Sequence, residues 1–99
     1  MTKNDLKNYR WYKELVRRYD RGVIEAPDTT ARDKCARRVA AIEQAIASVP
    51  DPTAQLLLRL RYIEGRSWVQ VRFALHYSES QTKRIHNRAL KMLEGVNLE

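Results

Sequence analysis

Cysteine is nearly absent from this chain. The one thiol, Cys35, leaves no internal disulfide to form, and with no second cysteine beside it a zinc site lacks ligands. A catalytic thiol needs an oriented base. Cys35 instead falls at an apolar helix position, where a small buried hydrophobe is expected. Glycine is scarce as well. Gly22, Gly65 and Gly95 are too few and too scattered for a phosphate-cradling loop, and each reads as a helix terminator. His76 and His86 stand at no metal-ligand spacing, and no paired-carboxylate signature occurs. These absences leave no enzyme chemistry and no cofactor to assign, so the chain is expected to be a non-enzyme. No stretch approaches the roughly 20 apolar residues that span a bilayer. The opening MTKNDLKNYR lacks a signal-peptide pattern, so a cytoplasmic location is expected. Strand alternation, repeats and low-complexity segments are missing too, which leaves an all-α fold.

What the chain has is positive charge. The 99 residues carry 19 Lys and Arg against 12 Asp and Glu, a net charge of +7. Residues 1–50 hold 11 basic and 7 acidic groups and residues 51–99 hold 8 and 5, so the excess is spread over both halves. That favours a polyanionic partner, either nucleic acid or a membrane surface.

Two stretches near the carboxy terminus share one form. Ser67-Trp68-Val69-Gln70 and Ser78-Glu79-Ser80-Gln81 each place a Gln three residues after a Ser. In such a capping box the hydroxyl accepts from the first turn and the Gln reaches back to the cap. Two helix starts this close leave one short helix, a turn at Leu75-His76-Tyr77 and a second helix, the outline of a helix-turn-helix. On the second helix, Thr82, Ile85, Ala89, Met92 and Leu93 fall on one side and are expected to pack inward. Ser80, Lys83, Arg84, Asn87 and Lys91 fall on the other, with Arg88 at its edge. That outer face is either an ordinary solvated surface or a reading head. Arg suits guanine edges, Asn suits adenine and Ser suits either. The capped helix and turn ahead of it favour DNA.

Upstream, residues 4–21 read as a first helix. Tyr9, Tyr12, Val16, Tyr19 and Val23 keep a 3-4 spacing, and Leu6, Trp11 and Leu15 widen the apolar surface. The tyrosines suit a helical core or, as the alternative, a stacking platform for bases. Gly22 and Ala26-Pro27-Asp28 end this helix. A second should start near Asp28 to Thr30 and end at Ser48-Val49-Pro50, with Cys35, Val39, Ile42, Ile46 and Val49 as its stripe. Two such stripes on consecutive helices predict an antiparallel hairpin arm over residues 1–50, paired with a second copy or folded back on the rest. Residues 51–99 form the DNA-binding part. Asp51 caps and Pro52 opens a third helix over Thr53 to Glu64, with Leu56, Leu57, Leu60 and Ile63 buried. The core of this part is expected at Leu57, Leu60, Ile63, Trp68, Val71, Leu75, Ile85, Ala89 and Met92.

The segment LLLRLRYIEGRSWVQVRFALHYSESQTKRIHNRALKML resembles region 4 of sigma-70-type factors, a helix-turn-helix that reads an upstream promoter element. The matching features are Leu58-Arg59-Leu60-Arg61-Tyr62, Gly65-Arg66-Ser67, Leu75, Ser78, Ile85 and Arg88-Ala89-Leu90, within Asp51 to Leu93. With a helical arm ahead of it, the whole chain resembles small phage-encoded late-gene activators of the ArpU and RinA type. The resemblance implies a transcription regulator of phage or prophage genes acting on double-stranded DNA in a bacterial host, with host RNA polymerase as a further partner. It puts base contacts on Ser80, Gln81, Lys83 and Arg84, to which the outward face adds Asn87; Gln81 serves equally as a cap alone. It puts Arg88 near phosphate, and Arg59, Arg61, Arg66 and Ser67 along the sugar-phosphate backbone. Arg72 and Lys91 join them as backbone cations.

Three departures stand out. His76 occupies a turn position that is usually Gly, Arg72 one that is usually small, and Glu79 one that is often Arg. The regions by which sigma factors bind core polymerase are absent, so this is no complete sigma factor. Two other readings fit the pattern: a small DNA-packaging subunit that forms rings, and a module that grips polymerase or a sigma factor without reading DNA.

Overall fold

The computed structural model describes residues 1–22 and 30–96. They form six α-helices and one π-helical segment, with no strand among the described residues: α1 Lys3–Lys7, α2 Tyr9–Asp20, α3 Thr30–Ala47, α4 Pro52–Leu58, the π segment Arg59–Ile63, α5 Trp68–Leu75 and α6 Glu79–Leu93. The start of α3 and Val23 fall at or inside the span 23–29, which lies outside the described residues.

The single amino-terminal helix expected over residues 4–21 is two helices. Thr2 and Asp5 make a capping box that starts α1, and the chain tightens at Asn8, whose ψ is −4°. Asn competes with the helix for its own backbone hydrogen bonds, which makes it a weak interior residue. The ladder nevertheless carries through, since Asn8 N–H donates to Asn4 O and Tyr12 N–H to Asn8 O.

α2 lies along α3 with the chain order reversed. Tyr9 Oη donates to the Glu43 carboxylate, the Arg38 guanidinium lies 5.7 Å from the Tyr12 ring centre, and Arg32 Nε donates to Asp20 at 3.0 Å. Burial grades along the pair. At one end Leu6, Tyr9, Ile42 and Ile46 are closed to solvent; towards the other, Tyr12, Tyr19, Val39 and Cys35 are half-buried. Cys35 is therefore not the sealed hydrophobe that its position suggested. Two helices without a third layer leave the edges of their contact open.

Asp51 caps α4, accepting from the N–H of Thr53 and Ala54, and Pro52 fills the first position. The helix then widens. Glu64 N–H reaches back five residues to Arg59 O, and Arg66 N–H six residues to Leu60 O. One extra residue per turn rotates everything after it. The buried set becomes Ala54, Leu57, Leu58, Leu60 and Tyr62, Ile63 is only half-buried, and Leu56 is 44% exposed. The expectation of one continuous α-helix over Thr53 to Glu64 fails at this widened turn, and Leu56, which precedes it, lies on the outer face of α4.

The turn between α5 and α6 is closed by hydrogen bonds from Tyr77 N–H to Arg72 O and from His76 N–H to Phe73 O. This pairing needs a left-handed residue just past the helix, and His76 supplies it at φ +57°. On α6 the inward stripe is Thr82, His86, Ala89 and Leu93, with Ile85 half-buried. Met92, expected inside, is 37% exposed. It stands about 80° round the helix from Thr82, at the flank of the stripe.

One apolar core joins the two ends of the sequence. Met1, Leu6, Tyr9, Ile42 and Ile46 share a cluster with Leu57, Leu58, Val71, Ala89 and Leu93. The amino-terminal arm thus folds back on the carboxy-terminal helices, and the Met1 amine donates to the carbonyls of Leu93 and Val96. The molecule is nonetheless elongated, 48 × 27 × 18 Å with a radius of gyration of 15.0 Å, against about 13 Å for a compact chain of this length. No described helix is long and apolar enough to cross a membrane.

Candidate nucleic-acid interface

The candidate surface is built on α6 and on the way its neighbours hold it. Ser78 caps the helix: its Oγ accepts from Gln81 N–H at 3.2 Å while Gln81 Oε1 accepts from Ser78 N–H at 2.9 Å. Thr82, on the buried side, returns its hydroxyl to Ser78 O at 2.8 Å. α5 begins the same way, with Ser67 and Gln70 exchanging bonds. Both capping boxes legible in the sequence are present.

With α6 oriented by its inward stripe, Ser80, Gln81, Lys83, Arg84, Asn87, Arg88 and Lys91 are all exposed. Among the described residues, the side chains of Ser80, Lys83, Arg84, Asn87 and Lys91 make no hydrogen bond or ion pair. Gln81 is occupied as the cap partner. Arg84 and Arg88 border a shallow hollow with Asp51, Thr53 and Tyr77. There Arg88 Nη1 lies 3.4 Å from Asp51 Oδ2, so its charge already has a partial internal partner.

The remaining candidates separate. Arg61, Arg66 and Ser67 gather at the loop before α5. The Arg61 guanidinium lies 4.7 Å from the Trp68 ring centre and donates to Arg66 O at 3.0 Å. Arg66 Nε meets Glu64 at 3.1 Å. These arginines brace the loop while leaving the Arg66 side chain exposed. Arg72 is half-buried between α5 and α6, and its Nε–H is buried without an acceptor. Arg59 stands apart, on a hollow shared with Ala40, Glu43, Gln44 and Ala47 of α3. The fold does not bring it to the outward face of α6.

No family model, no curated protein and no solved structure matches the chain.

Sequence reasoning missed the group beneath α6. His86 is buried, with Nε2 2.6 Å from Tyr62 Oη, and Trp68 meets its ring edge-on at 4.7 Å. Burial first, and then the nearby Lys3 and Arg61, lower the His86 pKa from 6.5 to about 4. Burial likewise raises the Tyr62 hydroxyl above its ordinary value. The imidazole is neutral near pH 7 and works as a hydrogen-bonded core residue. The available signal was its spacing, since Thr82, His86, Ala89 and Leu93 continue a 4-3-4 pattern. No cluster of metal-binding side chains occurs among the described residues.

Proposed function

We propose that this chain is a non-enzymatic, sequence-specific double-stranded DNA-binding protein, a transcription regulator of the kind phages and prophages encode. In this reading α5, the His76 turn and α6 are a sigma region 4-like helix-turn-helix behind an antiparallel helical arm. α6 enters the major groove, and the arginines around the loop before α5 lie along phosphates.

The observation that carries it is the outward face of α6. Five polar or cationic side chains, Ser80, Lys83, Arg84, Asn87 and Lys91, are exposed and unpartnered among the described residues. The helix beneath them is fixed by a cap and a buried stripe. A reading head needs free donors on a rigid support, and this helix has both. The net charge of +7 supplies the attraction. The resemblance of Asp51 to Leu93 to sigma region 4 supports the same placement.

The test is Arg84→Ala, measured on a duplex selected from a random pool. The expected loss is on the order of 1–3 kcal/mol of binding, with relaxed preference at one base pair. Unchanged affinity and preference would remove α6 from the role given to it.

One observation favours a second reading. Phe73 is 76% exposed and Val69 57% exposed, on one face of α5. An apolar pair left open in this way suits a module that binds another protein. Under that reading duplex binding is weak and indifferent to sequence, and Phe73→Ala is the variant that abolishes capture of host polymerase.

A further inference from the structure

The flank of α6 that looks towards α5 holds a feature that the outward face does not use. A cleft of about 370 Å³ opens there, bordered by Lys3 of α1, Arg72 of α5, and Glu79, Lys83 and His86 of α6. Three cationic residues from three separate helices line it. Among the described residues Lys3, Arg72 and Lys83 make no side-chain hydrogen bond or ion pair. Glu79 is the one carboxylate on the rim, and it pairs with none of them. His86 contributes no charge near pH 7, so the cleft is net positive.

Cations repel one another, and a buried donor without an acceptor is destabilising. Arg72 Nε–H is such a donor. That Nε–H has no surface open to the cleft, but an oxyanion entering there would offset the repulsion between the guanidinium and the two ammonium groups. A phosphate has the oxygens to accept from a guanidinium and two ammoniums together. Position selects its source. Lys83 stands on the flank between the cleft and the outward face, so a duplex lying on that face brings its backbone alongside the opening.

We propose that this cleft seats a backbone phosphate of the bound duplex, which makes Lys3, from the far end of the sequence, a DNA-contacting residue. The assignment rests on the proposed function. It moves Lys83 from base reading to backbone holding. It also gives the amino-terminal segment a direct part in binding, through its docking beside α6.

The experiment measures duplex affinity against salt for the full chain and for Lys3→Gln, Lys3→Arg and Arg84→Ala, with inorganic phosphate as a separate probe. Lys3 is exposed, so Lys3→Gln is expected to keep the wild-type melting temperature. The expected result for Lys3→Gln is binding about three- to tenfold weaker at low salt. The slope of log affinity against log salt becomes shallower by about 0.9, and the ranking of sequences is unchanged. Lys3→Arg restores both affinity and slope. Wild-type affinity and slope in Lys3→Gln, while Arg84→Ala still weakens binding and relaxes preference, overturns the cleft and leaves the proposed function standing. Loss of inorganic-phosphate binding in Lys3→Gln with duplex affinity intact also overturns it, in favour of a free anion. Failure of the wild-type chain to bind any duplex overturns both.

Discussion

His86 shows how one side chain can tie stability to pH. Folded, its pKa is lowered to about 4; unfolded, it returns to the ordinary 6.5. Between those values the unfolded chain holds more protons, so stability rises with pH. The contribution is complete above pH 6.5, shrinks as the pH falls through the window, and is gone below about 4. Its ceiling is on the order of 3 kcal/mol, at about 1.36 kcal/mol per unit. The measurement is the melting temperature of the wild type and of His86→Gln between pH 4 and 7. The wild type is expected to lose stability on acidification across that range, and His86→Gln to follow a flatter line. Asp5, whose carboxyl is held below 3.8 chiefly by the Thr2 backbone hydrogen bond, adds its own loss towards the acid end of this range, and the difference between wild type and His86→Gln cancels it. His76 carries a different cost, because a residue other than glycine in the left-handed region is strained by roughly 1–2 kcal/mol.

At the scale of elements, the face that α4 buries decides which leucines matter. If the register is as described, Leu56→Glu changes stability by no more than about 0.5 kcal/mol. Leu58→Ala should cost about 2–5 kcal/mol, because Leu58 is fully buried. Denaturant titration of the two variants checks this, and the reverse order of effects would mean that α4 turns its other face inward. The same contrast explains what the sequence made legible. The Ser67–Gln70 and Ser78–Gln81 caps, the Asp51-Pro52 start and the outward face of α6 depend on neighbours three or four residues apart, and each could be placed by spacing. The widened turn depends on one hydrogen bond choosing a partner five residues back. Within that segment Tyr62 turns inward to His86 of α6, twenty-four residues on. The contact of Tyr62 with His86, the shift of Met92 to the flank and the isolation of Arg59 are tertiary in the same sense, and no local pattern encodes them.

The whole molecule behaves as one core drawn out along its arm. Met1, Leu6 and Tyr9 bury their side chains with Leu57, Val71 and Leu93, so the arm and the carboxy-terminal helices should melt together. In Trp11→Phe the fluorescence of Trp68 reports one end of the chain, while far-UV circular dichroism reports all the helices. Coincident transitions are expected; an earlier loss of circular dichroism would mean that the arm comes away first. Position 65 records this interdependence atom by atom. Gly65 sits at φ +70°, and a Cβ built there would lie 1.6 Å from Arg10 Nη1. The guanidinium of α2 therefore rests in the space left by a missing methyl. An alanine at that place would push the guanidinium aside like a wedge under a latch, so a change in the loop before α5 would be felt by a side chain some fifty residues earlier.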